Sequence, residues 1–253
     1  MSLKVSIVTV VYNAVDTVAD ALQAVANQSY SNVEHIVIDG ASTDGTQTII
    51  EQFPHITQYI SESDQGIYDA MNKGLELATG DVIGLLNADD LYQHKHVIRD
   101  AVAVLEKQAV DACYADLVYV DSQDTDQVVR YWTSQEHQKG LCFSGWMPAH
   151  PTLFLRNTVY QQAGLFNTRL RYQSDLEFCA RIFEQLGISS AYVPEIWVRM
   201  RMGGVTNGSW KTMWLGNWES YRALQEMGLT TGPLRYFMGK FIPRITQYFA
   251  RPK

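Results

Sequence analysis

Cysteine is scarce in this chain: three in 253 residues, Cys113, Cys142 and Cys179, far apart and with no CxxC pair. An odd count at such spacings supports neither a disulfide framework nor a zinc site, and it fits a reducing compartment. Positive charge is also short, since 20 basic against 27 acidic residues leave a net −7. The field that generic nucleic-acid binding requires is therefore missing. Long apolar runs are absent as well; the nearest uncharged stretch, Leu141 to Leu155, is broken by Pro148, His150 and Pro151, so no membrane span is expected. The opening MSLKVSIVTVVYNAV imitates a short signal peptide. Thr9, Tyr12 and Asn13 interrupt it and no small-residue cleavage site follows, so it reads as a first strand of a cytoplasmic protein. No GxGxxG opens a helix, and Gly40-Ala41-Ser42-Thr43-Asp44-Gly45 has no lysine after its second glycine. The dinucleotide-binding and P-loop readings lose their main support.

What is present is an ordinary globular composition, 46% hydrophobic and 19% charged, with length enough for one large domain and a real core. Val5 to Val11 is a β-branched run, and Val18, Leu22, Val25 and Ala26 follow at helical spacing. The unit repeats: a strand over Val33 to Asp39, turn and cap residues, then a helix holding Ile49, Ile50 and Phe53. A third strand, Ile56 to Ile60, precedes a helix marked by Ile67, Ala70, Met71, Leu75 and Ala78, and the strand Val82 to Leu86 runs into Asn87-Ala88-Asp89-Asp90. Alternation of this kind predicts a parallel α/β sheet with ligands gathering at the carboxyl ends of its strands.

Beyond a helix at Val97 to Leu105 the order becomes mixed. Strands are expected at 112–120, 128–131, 152–155 and 191–199, helices at 157–163, 176–186 and 210–227, and a long irregular segment at 133–151. Asp39, Asp64, Asp89 and Asp90 each follow a predicted strand. In a parallel sheet they can converge on one crevice and bind a divalent cation, or they can simply cap helices and solvate turns.

SIVTVVYNA, VEHIVIDGASTDGT, SESDQGIYDAMNKG and DVIGLLNADD resemble the N-terminal half of the family 2 inverting glycosyltransferases. With the later SDLEF and MGGVTN, the chain is similar to bacterial members that build lipopolysaccharide and exopolysaccharide units, the colanic-acid type among them. The resemblance implies an α/β GT-A fold over residues 1–209, a nucleotide-sugar-binding half at 1–110 and an acceptor half at 111–209, with C-terminal helices at 210–253. It implies a nucleotide-sugar donor, with a UDP-sugar as the guess. Thr9, Val11 and Tyr12 match positions that hold base and ribose, Asp39 the aspartate on the nucleoside, and Asp64 and Lys73 further donor-side positions, Lys73 reaching a phosphate. The fold's metal motif is usually Asp-x-Asp; here it reads Asn87-Ala88-Asp89 followed by Asp90. Asp89 and Asp90 are the expected ligands of Mg2+ or Mn2+, and Asn87 is left to hydrogen-bond a hydroxyl.

For the chemistry, the resemblance assigns Asp175 as the base, with a helix N-cap as its alternative role and Glu177 as second choice. His150 lies where the family often has a histidine or glutamine near the active centre. Gly204 and Thr206, in the Gly203-Gly204-Val205-Thr206 run, resemble a loop that closes over the donor diphosphate. The related enzymes use a polyprenyl-diphosphate-linked glycan as acceptor at the cytoplasmic membrane face. After Glu226 the chain carries Arg235, Lys240, Arg244, Arg251 and Lys253 and no acid, interleaved with Leu234, Phe237, Met238, Phe241, Ile242 and Ile245. That pattern reads as a basic amphipathic helix on an anionic membrane; packing on the body or on a second copy, as a homodimer, is the alternative. A sugar nucleotidyltransferase and a non-catalytic nucleotide-sugar-binding protein are the rival functions.

Overall fold

The computed structural model describes residues 2–203, 210–229 and 232–247, with backbone alone at 210–214 and 242–246. Strand β1 (Val5–Val11) is buried along its whole length, as a β-branched run covered on both faces should be. It pairs in parallel with β2 (Val33–Asp39) on one side and β4 (Val82–Leu85) on the other, and β2 pairs in parallel with β3 (Ile56–Ser61). Beyond β4 the sheet turns mixed: β8 (Phe154–Arg156) is antiparallel to both β4 and β6 (Ala112–Val120), and β9 (Ser190–Arg201) runs parallel to β6. Two short partners complete it, β7 (Val128–Trp132) on β6 and β5 (Asp90–Tyr92) on β9. The strand order is β3-β2-β1-β4-β8-β6-β9-β5.

The connection from β4 to β5 shows that this sheet is curled. In a flat sheet β5 would lie four strand spacings, about 19 Å, from β4. Only Leu86 to Asp89 link the two strands, and part of that link is spent on a turn in which Asp90 N donates to Asn87 O at 3.1 Å. So short a tether does not reach that far; the far edge folds back instead, and β5 packs against helix α1 (Val18–Ala26). Asp90–Tyr92 is a strand that the sequence reading places within a polar strand end, because three residues carry no periodicity.

Side chains of β1 alternate between two cores. Val8 and Val10 pack with α3 (Ile67–Leu77) and α6 (Ser174–Ala180), while Val5 and Ile7 pack with α4 (Val97–Lys107). Helix α3 lies so close to β1 that a Cβ on Gly74 would stand 2.3 Å from Val8 Cγ1. The expected helix 176–186 is α-helical to Ala180 and continues as a π turn, Arg181–Leu186. Its Glu184 accepts from Gly140 N at 2.8 Å and Cys142 N at 3.1 Å, which pins the irregular segment.

The C-terminal segment docks on the body through α7 (Trp210–Glu226) and α8 (Pro233–Thr246). Tyr236 of α8 is fully buried, and Gly239 allows the helix to approach Ser144. Lys240 is buried too, its Nζ donating to Gln173 Oε1 at 2.8 Å and Tyr236 Oη at 3.0 Å. Lys240 thus anchors α8 to the body, as the alternative reading of the tail, packing on the body, expects. Arg251 and Lys253 lie outside the described residues.

Candidate active site

Parallel pairing places the carboxyl ends of β1, β2 and β4 on one edge, and Val11 stands opposite Asp39 in the register. Asp39 is fully buried. Its Oδ2 accepts from Ser42 N at 3.0 Å and Ser61 Oγ at 2.6 Å, and its Oδ1 from Ser42 Oγ. The Ser42 hydroxyl in turn accepts from Asn13 N at 2.7 Å, and Asn13 Oδ1 accepts from Thr43 N at 2.9 Å. Asn13 and Ala41 both hold positive φ, 46° and 61°, so the two turns are locked together in strained conformations. Tyr12, 67% exposed, stands over Gly40 together with Asp64: a Cβ on that glycine would lie 2.5 Å from Asp64 Oδ2 and 3.2 Å from Tyr12 Cδ2. Tyr12, Asp39 and Asp64 therefore share one rim.

Three expected donor-side residues are placed differently. Thr9 is fully buried, and its hydroxyl is bonded to His35 Nε2 at 2.9 Å. It shares the face of β1 that carries Val5, Ile7 and Val11, so it supports the sheet from behind and presents nothing to a nucleoside. Val11 is likewise buried, and its carbonyl accepts from Gly40 N at 2.8 Å. The Lys73 ammonium sits 2.8 Å from the exposed Glu62 Oε1 and donates to Ser63 O at 3.0 Å, which sets it against the loop that carries Asp64.

At the end of β4, Asn87 Nδ2 lies 3.4 Å from Asp90 Oδ2, and Ala88 is buried beneath. Asp90 is completely buried, and its Oδ1 has no hydrogen-bond partner among the described residues. Burial, and then the charge of Asp89, push its pKa well above the usual carboxylate range; burial also raises that of Asp89. Two adjacent desolvated carboxylates, one with an orphaned oxygen, beside an amide oxygen form a hard-oxygen donor set that fits Mg2+ or Mn2+. Sequence reasoning missed Arg201, at the end of β9, whose Nη1 lies 3.4 Å from the Asp89 carbonyl.

The other half of the site is built on α3 and α6. Helix α6 starts at Ser174, so Asp175 lies inside the first turn and is not the N-cap. Its Oδ1 accepts from Tyr68 Oη at 3.2 Å and from Leu176 N at 2.9 Å. Burial and the Asp175 charge push the Tyr68 phenol far up, which keeps it protonated and donating. Glu177 is spent on Arg181, 2.8 Å from Oε2, which leaves it no part as a base. His150 is buried with neither ring nitrogen bonded among the described residues, and its ring meets Phe166 edge-on at 5.7 Å. Burial lowers its pKa against the pull of Asp175, so it is a neutral imidazole at pH 7. Phe166 also contacts Tyr68 at 5.7 Å and exchanges two 2.9 Å hydrogen bonds with the Asn72 amide. Tyr68 and Asn72, four apart on one face of α3, are thus the residues of GIYDAMNKG that join the halves. Their spacing was visible in the sequence; their partners, about a hundred residues away, were not. Gly204 and Thr206 lie outside the described residues.

Against known proteins, the model of the family described as glycosyl transferase family 2 matches residues 6–165. A PGL/p-HBAD biosynthesis glycosyltransferase of Mycobacterium tuberculosis (strain ATCC 25618 / H37Rv) is 27% identical over 215 residues, 80% of this chain and 78% of that protein. The glycosyltransferase EpsE of Bacillus subtilis (strain 168) is 29% identical over 189 residues, 72% of this chain and 67% of its own length. Among solved structures, the mannosyltransferase PcManGT of Pyrobaculum calidifontis, in complex with GDP-Man and Mn2+, covers 96% of this chain and 70% of its own at TM-score 0.67 and 17% identity. TarS 1–349 of S. aureus with UDP-GlcNAc covers 85% of this chain and 66% of its own at TM-score 0.66 and 16% identity; the chain spans only 39% of the longer TarS chain. These likenesses give the GT-A fold, and the matching family is one of glycosyl transferases, not nucleotidyltransferases. With its parallel N-terminal half, its carboxylate pair after β4 and a match across most of its length, the chain belongs to glycosyl transferase family 2.

Proposed function

We propose that the chain is an inverting glycosyltransferase that moves one sugar from a nucleoside-diphosphate donor, a UDP-sugar, to a hydroxyl of a polyprenyl-diphosphate-linked glycan in bacterial surface-polysaccharide synthesis. The observation that carries this reading is the 3.2 Å bond from Tyr68 to Asp175. It joins a helix of the donor half to a carboxylate of the acceptor half, and the next acid in the chain, Glu177, is paired with Arg181. Structures of this fold bound to UDP-GlcNAc, and to GDP-Man with Mn2+, favour a nucleotide-sugar donor, and relatives named for PGL/p-HBAD biosynthesis suit an acceptor outside central metabolism.

In this reading Tyr12, Asp39 and Asp64 hold the nucleoside. Asp175 accepts the proton of the acceptor hydroxyl as that oxygen bonds to the anomeric carbon and the bond from carbon to diphosphate breaks on the opposite face. Tyr68 keeps the Asp175 carboxylate oriented, and the neutral His150 beside it can donate or accept one hydrogen bond to order the substrates. Mg2+ or Mn2+, held by Asp89 and Asp90 with the Asn87 oxygen, would supply positive charge for the departing diphosphate. The lipid of the acceptor puts the reaction at the cytoplasmic face of a membrane.

Asp175→Asn tests the assignment. Nucleotide-sugar binding by calorimetry is expected to stay within about threefold of wild type while transfer falls by roughly 10²–10⁴-fold. Undiminished transfer would refute the base.

A further inference from the structure

Arg201 is the last residue of β9, at the same carboxyl edge as the ends of β1, β2 and β4, since β9 runs parallel to β6 and both β4 and β6 are antiparallel to β8. Its side chain is only 8% exposed. One terminal nitrogen meets Asp20 Oδ2 at 2.5 Å, the other lies 3.4 Å from the Asp89 carbonyl, and Nε is buried with no partner among the described residues. Burying a guanidinium is costly unless its charge is well compensated. The one side-chain carboxylate bonded to it, Asp20, is 58% exposed and so is weakened by water as a counter-charge.

The neighbours explain why a cation sits there. Where the Asp-x-Asp motif would place its first carboxylate, this chain has the neutral Asn87, and a buried arginine lies against the Asp89 carbonyl. Both differences move the site toward positive charge, the direction that suits a nucleoside diphosphate. The next residues, Met202 and Gly203, lead into the loop expected to cover that diphosphate.

We propose that Arg201 is a positioning residue and the fixed counter-charge of the metal motif. It holds the Asp89 peptide in place, and it lends the diphosphate side of the site an attraction that does not depend on the metal. The inference rests on the reading that the Asp89 end of the site receives the donor diphosphate.

The test is calorimetric titration of the full chain with UDP and with GDP, in EDTA and in saturating Mn2+, and with Mn2+ alone. Wild type is expected to bind one of the two nucleotides measurably in EDTA. Arg201→Gln should weaken that metal-free binding about tenfold or more, lose much less in Mn2+, and bind Mn2+ alone no more weakly, because removing a cation cannot hurt a cation site electrostatically. Arg201→Lys, which keeps the charge but not the two-nitrogen bonding, should retain clearly more metal-free affinity than Arg201→Gln. No metal-free binding by wild type, equal losses with and without Mn2+, or a folded Lys variant that loses metal-free binding would each overturn the proposal, the last even if the Gln variant does not fold. Asp89→Asn separates the two levels: if it leaves nucleotide binding in Mn2+ unchanged, the reading of the site itself falls, whereas a loss there with no effect at Arg201 sinks only this inference.

Discussion

His35, on the strand that ends at Asp39, is fully buried and bonded to Thr9 Oγ1 at 2.9 Å and to His55 Nε2 at 2.9 Å through its other nitrogen. Burial, then the neighbouring His55, lowers its pKa from 6.5 to about 3. The unfolded chain therefore binds a proton between those values that the folded chain refuses, so the stability that His35 contributes is full above pH 6.5 and drains away as pH falls toward 3. Urea unfolding midpoints should fall as pH drops from 7 to 4, and His35→Gln should flatten that slope; a variant with the wild-type slope would contradict the assignment. The same residue shows where side-chain roles were legible. Asp39 and Asp175 stand in motifs whose chemistry the residue type announces. Thr9 and Lys73 do not, because a strand's alternation decides that Thr9 faces inward, and Glu62, ten or so residues upstream on a loop, decides where the Lys73 ammonium rests.

At the scale of elements, the parallel half was readable because each strand is a β-branched run closed by turn residues and each helix keeps one apolar face. What escaped was set by pairing across distance: β5 is only three residues long and exists because β9 offers it an edge. Helix α8 combines both situations. Its amphipathic spacing was clear, yet Tyr236 and Lys240 turn into the body while Leu234 and Met238, 75% and 52% exposed, turn out. Beside them α7 exposes Leu215 and Trp218, with Arg222 over the Trp218 ring at 5.6 Å. An apolar and basic platform of this kind suits the anionic surface that a lipid-linked acceptor occupies. In flotation with phosphatidylglycerol vesicles, Leu234→Glu with Met238→Glu is expected to abolish association without lowering the unfolding temperature, since neither side chain is buried. Equal flotation would remove α8 from the membrane account.

For the whole molecule, the net −7 resolves into −12 up to Glu226 and +5 after it, on Arg235, Lys240, Arg244, Arg251 and Lys253. The curl of the sheet joins the two ends of the chemistry: it brings the carboxylates after β4 beside Arg201 of β9, and Lys240 of α8 steadies Gln173, two residues before Asp175. No length of sequence pattern displays that curl, because it follows from a short tether between strands far apart in the order. The central claim is a single displacement at the anomeric carbon with one carboxylate as base, and the anomer of the first-formed product reports on it directly. With a UDP-α-sugar donor, NMR of the product of transfer, or of slow donor hydrolysis read before mutarotation, should show the β configuration. An α product would contradict the one-base mechanism and with it the role given to Asp175.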